Sequence, residues 1–204
     1  MLRDIGVEPA VVDVFDETSL LDIVCKAKPV FVIHQLTDLP PALDPARMAE
    51  ARVRNARLRE IGTRNLIAAA VAAGARRMVA QSIAFAYAPG PMPYAEDAPL
   101  NLDHPDFGST ARAVASLEQQ VLAAPLEGIV LRYGKLYGPG TGFDRPASGG
   151  PLHVDAAADA ARRAVTGGKA GVYNIAEEDG TVCSDKAADA LGWKSDFRLD
   201  PNKR

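Results

Sequence analysis

The sequence predicts an α/β fold, a doubly wound parallel sheet in one domain, and three observations predict it. Short β-branched runs alternate with longer alanine-rich stretches of helical spacing, the pattern of helices stacked on parallel strands. The run Val30-Phe31-Val32-Ile33 is continuously apolar, as in a strand covered on both faces. The 204 residues, 48% hydrophobic and 24% charged, suit one ordinary domain that needs no disulfide or metal to hold it.

In chain order, Val11-Val12-Asp13-Val14 reads as a first strand. Asp16 then caps a helix carrying Leu20, Leu21 and Val24 on one face. Pro29 leads into the strand over 30–33. Asp44-Pro45 pairs an N-cap with proline at the first helical position, and helical spacing runs on to Ala73, with Gly74 as the stop. Gly62 inside this long helix implies close packing against a neighbour. Arg47, Arg52, Arg54, Arg57, Arg59 and Arg64 read as its solvated face rather than as a phosphate-binding stripe.

Arg77 to Ser82 is the next strand, followed by a proline-rich loop over 88–107 that is long enough to be a functional lid. A helix over 109–124 places Ala111, Val114, Leu117 and Val121 on one stripe and stops at Pro125. Strands follow over 128–133 and 172–175, around a glycine-rich loop at Tyr137 to Gly142 and a helix over 155–166. The polar tail has one strong apolar anchor, Leu191-Gly192-Trp193. No repeat or domain boundary interrupts the chain, so 1–204 reads as one domain, with 134–204 as a reduced substrate-side part.

Composition narrows the partners. A net charge of −3 argues against general nucleic-acid binding. No apolar run approaches the roughly 20 residues of a membrane span. Two cysteines without a C-x-x-C pair, Cys25 and Cys183, suit a reduced, cytoplasmic protein. No H-E-x-x-H or paired C-x-x-C suggests a metal, and no G-x-S-x-G surrounds Ser82 to suggest a hydrolase.

Ligands of open parallel sheets bind beyond the carboxyl ends of the strands. Those positions carry Val12-Asp13-Val14, Val32-Ile33-His34, and Leu131-Arg132-Tyr133 with Tyr137-Gly138-Pro139-Gly140. Gly62-Thr63-Arg64-Asn65-Leu66-Ile67, Arg77-Met78-Val79 leading to Ser82, and His153-Val154-Asp155 before Val172-Tyr173-Asn174 complete the series. In this order they resemble the extended short-chain dehydrogenase/reductase superfamily, in its NAD-dependent epimerase/dehydratase family of nucleotide-sugar enzymes. The resemblance covers nearly the whole chain.

It implies a Rossmann-like fold, an NAD or NADP cofactor, and a small-molecule substrate such as a nucleotide sugar or another hydroxyl or carbonyl compound. It places cofactor contacts at Asp13, Val14, Leu36, Thr37 and Tyr133, substrate contacts at Arg132, Tyr137 and Gly138, and a catalytic hydroxyl at Ser82. It also implies a homodimer through the helices near 45–73 and 109–124. Against the chain's own residues, a turn aspartate explains Asp13 equally well, and a satisfied core histidine explains His34 better than a functional one.

Two departures are legible. Counting back from Glu118, the family's tyrosine general acid/base falls on Thr110 and its lysine on Val114. A tyrosine of pKa about 10 serves near neutral pH only beside a cation, and the family's lysine also holds the nicotinamide ribose, so the pair's absence argues against family-type hydride chemistry. No G-x-x-G-x-x-G follows a strand, so the backbone amides that cradle a dinucleotide's phosphates are missing. The sheet therefore reads as N-terminally incomplete, with two central strands expected between those near 11 and 31. This chain is expected to bind NAD or NADP weakly or not at all, and a full-length form to bind it. The alternative function is a non-catalytic dinucleotide-sensing or interaction module of the same fold.

Overall fold

Asp16 is the N-cap that starts α1 (Glu17–Ala27): one carboxylate oxygen accepts from Ser19 N at 3.1 Å and the other from Ser19 Oγ at 2.7 Å. The computed structural model describes residues 2–200. After α1 comes β1 (Phe31–His34), then a 3-10 turn at Pro45–Arg47 that opens α2 (Met48–Arg57). Leu58–Gly62 winds as a π-helix, and α3 (Thr63–Ala72) continues from it. The order proceeds through β2 (Arg77–Ile83), α4 (Gly108–Ala123), β3 (Glu127–Tyr133), β4 (Lys135–Tyr137), β5 (Pro151–His153), α5 (Val154–Ala164), β6 (Gly171–Ile175) and α6 (Asp185–Leu191).

The main sheet has the order β1-β2-β3-β6 and every pairing is parallel, with Val32 opposite Met78, Ala80 opposite Val130, and Leu131 opposite Tyr173. Alternation along the strands builds two cores. Met78, Ala80 and Val130 face Ala70 of α3 and Leu117 and Val121 of α4. Val79, Ile129, Leu131 and Tyr133 face Ala156, Ala160 and Ala164 of α5, with Leu191 and Trp193 closing that layer. Helices thus cover both faces, the doubly wound arrangement that the sequence predicts. The small side chains of α5 let it lie close to the sheet, and Trp193 fastens the tail by donating from Nε1 to Ala156 O at 2.8 Å.

Several expectations are corrected. Residues 11–14 form no strand: Val11 is 95% exposed, and Asp13 folds the chain into a turn by accepting from Phe15 N at 2.9 Å. Among the described residues no strand lies beside this segment, and an extended run without a partner has no ladder to join. The expected separation of strands near 11 and 31 therefore cannot arise. β1 is an edge strand, and Val30, Phe31 and Ile33 are each more than a third exposed rather than covered on both faces.

The long helix is not one uniform α-helix but α2, a π-turn and α3. Gly62 closes that turn, where an added Cβ would lie 3.1 Å from Leu58 Cδ1 and 3.2 Å from Val14 Cγ1. That contact is the close packing its position predicts. The two-stranded β4–β5 sheet and α6 have segments too short for a periodic signal and are seen only in the structure. No helix among the described residues is long and apolar enough to cross a membrane.

Candidate functional site

Ser82 sits near the carboxyl end of β2, opposite Arg132 of β3, and is buried. Its hydroxyl donates to Glu118 Oε1 of α4 at 2.6 Å. The same carboxylate receives Arg132 Nε at 2.9 Å on Oε1 and Arg132 Nη2 at 2.7 Å on Oε2. Arg132 Nη1 reaches the Tyr87 hydroxyl at 2.9 Å and Glu96 O at 3.0 Å, and Tyr87 donates onward to Asn174 Oδ1 at 2.6 Å. Asn174 N closes the chain on Glu96 Oε1 at 2.8 Å.

Burial opposes the charge of Arg132, but the hydrogen bonds and charge of Glu118 outweigh it and push its pKa up. Burial also raises the Tyr87 hydroxyl, against the pull of Arg132. The network leaves Ser82 with its proton committed to a carboxylate, on the α4 side of the sheet.

Thr110 and Val114 are buried on α4, two turns and one turn before Glu118. A threonine hydroxyl does not ionise near neutral pH and valine carries no charge, so this helix face offers no acid/base pair. Tyr133 is buried, donates to Ala157 O at 3.0 Å and receives Gln35 Nε2 at 3.4 Å; burial pushes its pKa up. It is held as a neutral hydroxyl.

At the end of β1, His34 is a satisfied core residue. Its Nδ1 accepts from Leu36 N at 3.3 Å, which leaves Nε2 to donate to Thr63 Oγ1 at 2.9 Å. Burial, reinforced by the charge of Arg59, lowers its pKa to about 4. Leu36 is 45% exposed beyond the strand, and Thr37 donates to Asn55 Oδ1 at 3.3 Å. Most of the helical arginines are solvated, with Arg54 paired to Asp38 and Arg64 to Glu17. Arg59, on the π-turn, departs from that reading: burial brings its pKa down to about 10.

A separate cluster holds Tyr137 and Gly138. The Tyr137 hydroxyl lies 2.9 and 3.0 Å from the two Glu177 carboxylate oxygens, and Arg198 Nη2 reaches that hydroxyl at 3.0 Å and Glu177 Oε1 at 2.8 Å. Gly138, at φ +103°, packs on the His153 ring, where an added Cβ would lie 2.7 Å from Nε2. The contacts of these residues fall into three sets: the end of β1, the Ser82–Glu118–Arg132 network, and the Tyr137–Glu177–Arg198 cluster.

Sequence reasoning missed a cavity of about 320 Å³ lined by Phe85, Tyr87, Asn101, His104, Phe107 and Lys135. Phe85 and Tyr87 lie two and four residues beyond β2, and Lys135 opens β4 directly after β3, so the stretches beyond the strand ends, 82–87 and 132–140, contain three of its walls. Among the described residues no cluster of metal-ligating side chains is present.

The described residues do not fit the phosphates of a dinucleotide. The helix that follows residues 11–14 opens on Asp16 and Glu17, whose charge repels an anion at that end. Asp13 spends Oδ1 on Phe15 N, and Val14 O accepts from Asn65 Nδ2 at 3.1 Å. The glycines at positive φ in the 138–142 loop follow β4, and Gly138 is filled by His153.

No established family profile matches the chain. It is 46% identical over 191 residues to a 3-diazoavenalumate denitrifying reductase from a Streptomyces species, an alignment that takes in 83% of this chain and 62% of the relative. The chain thus spans under two thirds of that relative's length. Among solved structures it is similar to a UDP-glucose 4-epimerase from Thermotoga maritima, in complex with UDP-glucose, at 18% identity and a TM-score of 0.72, covering 92% of this chain and 79% of that one. It is also similar to the enzyme WbmG from Bordetella bronchiseptica, solved with NAD and UDP, at 18% identity and TM-score 0.72, over 95% and 76% of the two chains. RMD from Pseudomonas aeruginosa, complexed with NADPH, matches at 18% identity and TM-score 0.73, over 93% and 84%. In fold, the chain is similar to these enzymes, with a Rossmann-like parallel-sheet architecture.

Proposed function

We propose that the chain is the substrate-side part of a reductase that removes a diazo group from a carboxylate-bearing substrate, with a nicotinamide dinucleotide as reductant. The observation that carries this reading is the pair Thr110 and Val114, buried on α4 where the resemblance puts tyrosine and lysine. Epimerisation of a sugar or reduction of a carbonyl requires a group that moves a proton at the reacting oxygen. Neither residue does so, and Tyr133 is held neutral by burial. Reduction of an aryl diazonium would replace its C–N bond with C–H, the hydride coming from the dinucleotide, which is oxidised, and dinitrogen leaving. That exchange needs no proton moved at an oxygen, so a site without that pair remains suited to it. The identity to a denitrifying reductase supports the same direction. The nucleotide-sugar substrate is the reading these residues weigh against.

The cofactor belongs to the same proposal. Neighbours solved with NAD or NADPH support a dinucleotide for this fold, and Asp13, Val14, Leu36, Thr37 and Tyr133 are the residues that would contact it. Without a phosphate cradle, these 204 residues hold it weakly or not at all, and a longer form with a glycine-rich turn would hold it well. Arg132 keeps a substrate-side role through the loop it anchors at Glu96 rather than by direct contact, and Tyr137 and Gly138 bound that side. A homodimer through α2–α3 and α4, and a cytoplasmic location consistent with two free cysteines, complete the reading.

A specific observation favours one further reading: Ser82 is committed to Glu118, as in a module that binds without turnover. Incubation of the chain with an aryl diazo carboxylate and millimolar NADPH, and separately with UDP-glucose and NAD, separates the three. Loss of the diazo chromophore with one dinitrogen per NADPH is expected. Conversion of UDP-glucose overturns the reading, and saturable binding without either reaction moves the chain to the non-catalytic class.

A further inference from the structure

We infer that the cavity between Phe85, Tyr87, Asn101, His104, Phe107 and Lys135 binds a flat aromatic carboxylate, with Lys135 as the residue that selects the carboxylate. The inference rests on the diazo-reductase reading for its place in a reaction, and on the cavity itself for its chemistry. About 320 Å³ is the lower end of the range for small-molecule sites. It is enough for a single substituted ring with a short side chain and too small for a nucleotide sugar.

The walls sort by chemistry. Phe85 and Phe107 meet at 6.4 Å between ring centroids with planes tilted by 45°, and Tyr87 supplies a third ring. Three aromatic side chains around one space favour a planar π-system, which pairs with such rings by offset or edge contacts. The Tyr87 hydroxyl is fixed between Arg132 and Asn174, so the ring itself is a rigid wall. The ring is stacked on Tyr94 at 5.0 Å between centroids and has the Arg132 guanidinium over it at 5.1 Å, so it meets the space as a fixed edge.

The polar lining is made of donors. Lys135 Nζ rests on Ser148 O at 2.7 Å and has further N–H groups to give. His104 Nδ1 accepts from both Asp106 N and Phe107 N at 3.1 Å, which fixes its neutral ring with the proton on Nε2. The Asn101 side-chain amide has no hydrogen-bond partner among the described residues. No aspartate or glutamate lines the space. A cationic ammonium, an imidazole N–H and a free amide beside three rings complement an anion carried on a flat apolar body.

Lys135 is also placed with economy of motion. It is the first residue of β4, immediately beyond β3, and its backbone is fixed by Lys135 N donating to Gly150 O at 2.7 Å. Its side chain is exposed and held only by one carbonyl, so the ammonium can turn from Ser148 toward a ligand without disturbing the sheet.

The test is calorimetric titration of the chain with 4-hydroxycinnamate, its methyl ester, and UDP. The carboxylate is expected to bind saturably and at least tenfold tighter than the ester or UDP. Lys135→Gln is expected to weaken it at least tenfold, and Lys135→Arg to restore most of the loss, with thermal unfolding of both variants unchanged. Equal binding of acid and ester, tighter binding of UDP, or wild-type affinity in Lys135→Gln overturns the inference. Carboxylate binding that depends on Lys135 without diazo turnover keeps this site and overturns the reaction, whereas turnover indifferent to Lys135 keeps the reaction and overturns the site.

Discussion

Replacing Glu118 with alanine removes the one acid that balances a buried guanidinium. The two side chains are 6% and 7% exposed, and the carboxylate accepts three hydrogen bonds, two from Arg132 and one from Ser82. Summed individually, hydrogen bonds to a charged group would give about 5–9 kcal/mol. That sum ignores the cost of burying both ions, and breaking such a pair from one side costs about 3–5 kcal/mol. Because the Arg132 pKa is pushed up, the guanidinium stays charged and does not escape the cost by losing its proton.

For a chain of this size, about 3–5 kcal/mol lowers the melting temperature by roughly 6–20 °C. Urea unfolding at pH 7 and differential scanning calorimetry measure both quantities. The double variant Glu118→Met with Arg132→Met should be less destabilised than Glu118→Ala, since no uncompensated charge remains. A loss below about 1 kcal/mol in the single variant, the level of a solvated surface pair, would refute the network as a buried unit.

Ser82→Ala is expected to cost about 1.5–3 kcal/mol of stability, one hydrogen bond to a charged group, and to change turnover less than tenfold; a fall of about a hundredfold would assign the hydroxyl an acid/base or polarising role. His34 is neutral when folded, with a pKa lowered to about 4, but takes up a proton near 6.5 when unfolded. The unfolded chain therefore binds more protons between these values, and stability present above pH 6.5 is lost as pH falls toward 4, by about 3 kcal/mol. Urea midpoints across that window measure it, and His34→Gln should flatten the dependence; an unchanged slope would place the titration elsewhere. Gly134→Ala would set a Cβ 2.3 Å from Gly150 O, and is expected to cost about 1–3 kcal/mol by forcing β4 away from β5. Light scattering at micromolar concentration should give the mass of two chains; a monomer would remove the helix-mediated dimer from the proposal.

The fold was legible wherever a segment had both length and a periodic face. The stripe Ala111, Val114, Leu117 and Val121 marked α4, and the Asp16 cap marked the start of α1, because both signals are local. The segment 11–14 had a strand's composition, yet strand formation is a property of a pair, and no strand among the described residues lies beside it to supply the other half. The exposure of Phe31 and Ile33 has the same cause: a continuous apolar run says that a strand is suited to burial, not that both sides are filled.

At the site, Ser82, Arg132 and Glu118 were each visible as residues, but nothing local showed that the serine hydroxyl points at the glutamate. That contact joins β2 to a helix thirty-six residues later. Phe85 and Lys135 fall beyond strand ends and His104 in the long loop, but their meeting in one space is encoded by no spacing rule.

The central claim is that this chain has the substrate side of a reductase without a phosphate cradle of its own. Calorimetric titration of the 204-residue chain with NADPH and with NAD tests it most directly. Asp13, Leu36 and Thr37 can offer a few contacts of about 0.5–1.5 kcal/mol each, whereas micromolar affinity requires about 8 kcal/mol. A dissociation constant weaker than about 100 μM, some 5.5 kcal/mol, is the predicted result. Binding tighter than that by the chain alone would contradict the account, and would point to the loop from Gly138 to Gly142 as an unrecognised phosphate site.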